Sequence, residues 1–268
     1  MPPRLRRLAN PPAFFLRTEP GASSPRLDPA DLEHARRVLR LRAGDPLVGL
    51  DGLGHRWPLR IRSVAKGELE LEASGPMETI PAPGREGCTH PWIEVAVSWP
   101  RRNRVEDMVA RLVQLGAAAI LPLVAEMRGP EDVPEETPER LQRVARESCK
   151  QCGRAWMPRF EAARTPAALA AARKHGLLAL LDPHGGLPFD TWLRSFQPAP
   201  LGVGTEERPI VIVVGPEGGF SAQERNALLD VAATPVWLGP HVLRVETAAE
   251  TAMAVAVAVH ALRPSARQ

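Results

Sequence analysis

Residues Val213–Ser221 read VVGPEGGFS, and the way this stretch folds decides the architecture around it. It overlaps the apolar run Ile210–Val214, bounded by Pro209 and Gly215, whose length and β-branched content predict a buried strand. Three glycines and a proline then favour a sharp turn poor in side chains. Ser221 stands at a helix start with Glu224 three residues on, the spacing of a capping box. The unit is strand, tight turn, helix. In α/β proteins such turns are where small molecules bind.

The loop lacks two phosphate-binding patterns. No Lys-Ser or Lys-Thr follows the glycines as in a P-loop, and the dinucleotide fingerprint needs a different glycine spacing. Glu217 within the turn would repel a pyrophosphate. Two readings stay open: an ordinary strand-to-helix turn, or a loop for a ligand that carries a cation or offers donors.

The 268 residues suffice for one large domain or two smaller ones. A hydrophobic content of 44% and a net charge of +3 fit a folded soluble protein rather than a disordered chain. Three cysteines, Cys88, Cys149 and Cys152, and no secretory leader argue against a disulfide framework. Cys149 and Cys152 have the outline of a CxxC, but no second pair accompanies them, and their flanks read as helix. The expectation is no metal, no membrane span and a cytoplasmic location. Residues 1–72 hold 13 Lys and Arg against 9 Asp and Glu, a basic bias suited to a polyanion.

The chain opens with Arg4, Arg6 and Arg7 before Phe14–Leu16, either a basic arm or an edge strand. Asp28-Pro29 starts a helix that carries Leu32, Ala35, Val38 and Leu39 on one face. Leu47–Leu50, Trp57–Ile61 and Leu69–Leu71 are short strands of a β-rich module. The expected division is a domain over 1–74, a Pro/Gly-rich linker over 75–91 and a second domain over 92–268. There the expected strands are Ile93–Ser98, Ile120–Val124, Leu177–Leu181, Ile210–Val214 and Val236–Leu238. They alternate with helices over Val105–Leu115, Gln142–Gly153 and Ala222–Leu229. That alternation predicts an α/β fold with a parallel sheet covered on both faces. Glu246–Leu262 alternates Val with Ala like a strand, but alanine and the lack of a breaker favour a largely buried helix, a candidate dimer contact.

VVGPEGGFSAQE and LGPHVLRVETA (Leu238–Ala248), taken with HARRVLRLRAGDPLVGLDGLG (His34–Gly54) and ARESCKQCGR (Ala145–Arg154), resemble a bacterial enzyme family. Its members methylate N3 of a single uridine in 16S ribosomal RNA. The resemblance covers nearly the whole chain. It departs where the family's Lys becomes Arg101 or Arg102, where Gln114 replaces an acid, and where Glu126-Met127-Arg128 replaces Glu-Arg-Ser. The loss of the acid argues against a catalytic role for position 114.

The resemblance implies S-adenosylmethionine as cofactor and a SPOUT-class C-terminal domain with a deep trefoil knot. It also implies a small PUA-like RNA-binding barrel at the N-terminus, and a homodimer. Pattern reasoning would exclude the knot. Carried onto this chain, the cofactor loops are Leu180–Asp182, Val214–Gly219 and Leu238–Arg244. Gly215, Gly218, Gly219 and Gly239 would let backbone approach the ligand, and Leu181, Leu238 and Leu243 would form apolar walls. Arg244 is the first catalytic candidate, as a fork for an anionic uracil, with a salt bridge to Glu246 or Glu217 as its plainer role. Glu217 would orient substrate or meet the cofactor cation, or bond its own turn. The general base is not assigned.

For RNA contact the candidates are Arg7, His34, Arg37, Arg40 and Arg42 near the N-terminus, Arg101 and Arg104 beside a strand end, and Arg154. Lys150, Arg146 and Arg143 with Arg154 read either as an RNA-facing stripe or as a solvated face. The expected partner is 16S rRNA within the assembled 30S subunit. The alternatives are a knotted RNA methyltransferase with another target and a ribosome-assembly factor without catalysis.

Overall fold

The computed structural model describes residues 11–18, 23–65, 67–100, 102–128, 139–173, 175–196 and 203–261. The chain divides into two compact units, Met1–Ile80 with Cys149–Met157, and Pro81–Ser148 with Pro158–Gln268.

In the first unit, β1 (Ala13–Phe15) and α1 (Pro29–Glu33) precede β2 (Pro46–Leu50), β3 (His55–Ala65), β4 (Glu68–Ala73) and β5 (Glu78–Thr79). The sheet order is β1-β2-β3-β4, with β5 also on β3. β1 runs parallel to β2, and the other pairs are antiparallel. The period-2 pattern places Leu47, Leu59, Ile61, Leu69 and Leu71 in one core with Phe14 and Trp57. Phe14–Leu16 thus contributes an edge strand, and part of the expected linker pairs as β5.

Asp28 caps α1 through the Ala30 N–H, with Pro29 at the first turn. From His34 to Val38 the winding widens to a π-turn, in which the Leu39 N–H reaches His34 O. This extra residue per turn breaks the expected apolar face. Ala35 stays buried, but Val38 is 64% exposed.

Residues 149–157 belong to the first unit by their bonds. The Lys150 ammonium meets the buried Asp31 carboxylate, which also accepts the Phe15 N–H at 2.7 Å. Gly54 N–H bonds Ala155 O at 3.0 Å, Met157 N–H bonds Gly52 O at 2.9 Å, and Trp156 Nε1 donates to Ile80 O at 2.8 Å. Gly54 has φ +104°, and a Cβ there would lie 2.5 Å from the Trp156 ring. Lys150 is therefore no part of an RNA-facing stripe: an ion pair inside the unit takes its charge. The two CxxC sulfurs lie in the last turn of a helix, Cys149 buried and Cys152 exposed and directed at Cys149 O.

The second unit contains β6 (Ile93–Ser98), α2 (Arg102–Gln114), β7 (Ala119–Leu123), α3 (Glu139–Cys152, whose last turn joins the first unit) and β8 (Arg159–Phe160). These are followed by α4 (Pro166–Ala172), β9 (Leu177–Leu181), β10 (Leu187–Pro188), α5 (Phe189–Ser195), β11 (Ile210–Val214), α6 (Ala222–Leu229), β12 (Thr234–Trp237) and α7 (Val245–Ala261). All seven strands are parallel, in the order β10-β12-β9-β11-β6-β7-β8. β6, β7 and β11 are buried along their whole length, as expected for strands covered on both faces. Leu169 and Ala170 of α4 and Leu228 of α6 pack on one core with Leu178, Leu180, Val211 and Val213. α7 packs against α2, α5, β6 and β11 and is a helix throughout.

Glu94 puts a carboxylate inside β6, only 3% exposed. It accepts Trp92 Nε1 at 3.1 Å and Arg173 Nε, and Arg173 reaches Glu161 with its other arm. Burial disfavours the Arg173 charge, but the bond and charge of Glu94, then Glu161, outweigh it and raise its pKa. Removing the arginine leaves a buried charge unpaired. Arg173→Met is expected to cost about 3 kcal/mol in urea unfolding, and adding Glu94→Gln should recover part of that loss.

Candidate functional site

Parallel strands end at the same edge, so the turns after neighbouring strands converge. Those after β9, β11 and β12 line a cavity of about 650 Å³, within the roughly 300–1,000 Å³ typical of small-molecule sites. Leu180–His184 form one side, Val214–Phe220 a second, and Val236–Val245 (with gaps at Pro240 and Arg244) a third. Leu181, Gly215, Glu217, Gly218, Gly219, Leu238, Gly239 and Leu243 are all brought together there.

The glycines act differently. A Cβ on Gly215 would stand 2.9 Å from the Phe220 ring, so that glycine admits Phe220. Gly218 faces Met127, whose side chain would lie 3.4 Å from an added Cβ. Gly219 has φ +77°, and Cβ atoms at Gly219 and Gly239 would enter open space.

The loop is held from behind. Ser221 Oγ accepts the Glu224 N–H at 3.3 Å, and Glu224 Oε2 accepts the Ser221 N–H at 2.8 Å, completing the capping box. Glu224 Oε1 also takes the Glu126 N–H at 2.8 Å. One buried carboxylate thus joins the α6 start to the turn that carries Met127.

Glu217 is exposed, and its carboxylate makes no bond among the described residues, so it does not bond its own turn. Arg244 is exposed between Leu243 and Val245, both of which line the cavity. Its plainer role as a salt bridge is not met. Glu246 pairs with Arg104 at 3.1 Å, and Arg244 has no ion pair among the described residues. Arg111 pairs with Glu250 at 3.0 Å, so α2 and α7 are joined twice.

The RNA candidates scatter. Arg37 pairs with Glu33, His34 stands edge-on to Phe14, Arg40 has φ +51°, and Arg42 is exposed. Arg154 is half-buried, its N–H on Cys149 O. Arg7 and Arg101 lie outside the described residues. No group of three or more His, Cys, Asp and Glu suited to a metal occurs among the described residues, and no described helix is long and apolar enough to cross a membrane.

The cofactor loops named from the resemblance contain Asp182 and His241 but gave their side chains no role, and sequence reasoning missed His184 and Arg225 altogether. Asp182 was legible in part, as the first polar residue after a five-residue apolar strand. Burial would raise its pKa, but the His184 N–H and the Arg225 hydrogen bond and charge outweigh this and lower it. Such a group stabilises the fold above its unfolded pKa and loses that contribution as pH falls through the folded value.

A parallel sheet with a ligand-sized cavity at its C-terminal edge, in a chain that also carries a β-rich unit, defines an α/β protein that handles a small molecule. The RNA methyltransferase domain family matches residues 88–257 and the RNA methyltransferase PUA domain matches residues 27–74, so the chain belongs to the RNA methyltransferase family. It is 29% identical over 233 residues to ribosomal RNA small subunit methyltransferase E of Synechocystis, covering 85% of this chain and 71% of that protein. The Mycobacterium bovis protein of the same name is 28% identical over 229 residues, covering 82% and 80%. The crystal structure of ribosomal RNA small subunit methyltransferase E from Neisseria gonorrhoeae, bound to S-adenosylmethionine, superposes with a TM-score of 0.69 at 21% identity, covering 91% and 96%.

Glu224→Ala should lower stability by about 2 kcal/mol in thermal unfolding and speed hydrogen exchange at the Ser221 and Glu126 amides. The stability gap between wild type and Asp182→Asn, present at neutral pH, should close as pH falls from about 5 to 2 in acid titrations of the unfolding midpoint.

Proposed function

We propose that this protein uses S-adenosylmethionine to methylate N3 of one uridine in 16S rRNA, on the assembled small subunit in the cytoplasm. The observation that carries the reading is the cavity lined by three loops, with Gly219 and Gly239 opening onto space that side chains would fill. Family membership and the names of the relatives supply the reaction class.

The residues fit the cofactor. Leu181, Leu238 and Leu243 offer apolar walls, and Glu217 offers an unpaired carboxylate to a cation. When bound, S-adenosylmethionine supplies a methyl group activated on a sulfonium. The chain must position uracil N3 and manage its proton. N3 lies on the pairing edge, so the base is taken unpaired or extruded.

Arg244 stabilises the uracil as its N3 proton leaves. It sits where α7 begins, its carbonyl accepting the Ala248 N–H. A cation there opposes the helix dipole and has no ion pair among the described residues to compensate. That arrangement costs stability and leaves the guanidinium free for an anion. His34, Arg37, Arg40 and Arg42 then meet RNA from a PUA-like barrel, while Arg104 is chiefly occupied by Glu246. A trefoil knot is supported by the route of the chain: β11 lies between β9 and β6, β12 lies beyond β9, and α7 returns onto β11 and β6. A homodimer would cover the exposed Ala254 and Ala258 of α7 and the 75%-exposed Val242.

The test is labelled methyl transfer to 30S subunits lacking the modification, with free rRNA in parallel and the product nucleoside identified. 3-Methyluridine formed on subunits supports the proposal, whereas a different methylated nucleoside would falsify the target. Arg244→Ala should lower kcat/KM by about 100-fold while calorimetry shows cofactor affinity changed less than about twofold.

A further inference from the structure

Asp182 stands at the middle of the cavity's three sides. β9 lies between β11 and β12, so the residue that follows β9 sits between the glycine loop and the Leu238–Leu243 segment. Its N–H donates to Val236 O at 2.9 Å, which continues the β9–β12 ladder to this point. Its carboxylate is fixed from two directions: Oδ1 accepts the His184 N–H at 2.8 Å, and Oδ2 accepts Arg225 at 3.0 Å. Each oxygen retains a further lone pair.

The turn beneath it has little freedom. Gly185 N–H bonds Asp182 O at 3.1 Å, and a Cβ on Gly185 would lie 2.9 Å from Asp182 Cβ and 3.0 Å from Pro235 Cβ. The Asp182 side chain is 18% exposed, so the carboxylate is a rigid, partly accessible acceptor beside the apolar Leu180, Leu181, Val236 and Trp237, with His184 and Arg225 as its polar neighbours in the lining.

We propose that Asp182 accepts a hydrogen bond from a ribose hydroxyl of the bound adenosine group, with Arg225 as its positioning residue. This rests on the cofactor reading above. If the apolar Leu238–Leu243 segment takes the base and the glycine loop takes the amino-acid part, the group between them is the ribose. Its diol presents donors, which an ionised carboxylate accepts with charge assistance. An acidic side chain near the end of a parallel strand meets ribose in the same chemical way in dinucleotide sites. Glu217, on the glycine loop and without a partner among the described residues, is left for the cationic end of the ligand.

Calorimetry separates the possibilities. S-adenosylmethionine, S-adenosylhomocysteine and the 2′-deoxy and 3′-deoxy analogues of the latter are titrated into wild type, Asp182→Asn and Arg225→Ala, each first checked for a cooperative unfolding transition. Asp182→Asn should weaken S-adenosylhomocysteine about tenfold or more, yet leave one deoxy analogue bound as wild type binds it. Arg225→Ala should show the same pattern with a smaller loss, and it tests the proposal alone should Asp182→Asn not fold. Equal weakening of all four ligands would reduce Asp182 to a loop-shaping role. A loss confined to S-adenosylmethionine would mean that the carboxylate senses the sulfonium, and either result overturns the proposal. A wild-type protein that binds neither cofactor nor product overturns the cofactor reading itself.

Discussion

β9, β11 and β12 are hydrogen-bonded neighbours in one parallel sheet, and their adjacency creates the cavity. The three strands are separated in sequence by α5 and α6, so no local signal brings their ends together. Parallel pairing does so, because it sends each chain out of the same edge. Leu181, Gly215 and Leu238 then become neighbours around one space although they lie up to 57 residues apart. The buried faces of the sheet hold this edge rigid: β11 exposes none of its five residues, and both of its neighbours are secured by their own ladders.

Around this edge some charges fasten elements to one another and others stay unpaired. Arg104 and Arg111 fasten α2 to α7 through Glu246 and Glu250. Arg225 fastens Asp182, and Glu224 fastens the glycine loop to the turn at Glu126. Glu217, which lines the cavity, and Arg244, which stands between the lining residues Leu243 and Val245, have no ion pair among the described residues. Exposed ion pairs contribute little to stability, so the value of the fastened ones is mainly geometric. The same division holds in the first unit. Lys150 is spent on buried Asp31, while Arg40 and Arg42 remain exposed.

The strands of both units were legible because burial imposes a period. Leu59 and Ile61 alternate with arginines, Leu69 and Leu71 alternate with glutamates, and Ile210–Val214 is apolar throughout. The capping box at Ser221 was legible because its two partners are three residues apart. The face of the helix after Asp28 was misread, since a π-turn changes the angle between residues without altering their identity. Lys150 was misread as part of a surface stripe, since its partner Asp31 is 119 residues away.

The family resemblance named the segments that meet at the site, whereas the sequence by itself determined the main strands and helices, the glycine loop and the lack of a phosphate-loop pattern. These depend on local sterics and on polarity at short spacing. Tertiary structure alone decided that Gly215 admits Phe220, that Gly218 faces Met127 and that Asp182 is held rigid by Arg225. It also decided that Glu246 serves Arg104 rather than Arg244. Each of these is a contact between segments that chain connectivity keeps apart, and packing of the sheet and its helices selects the partner.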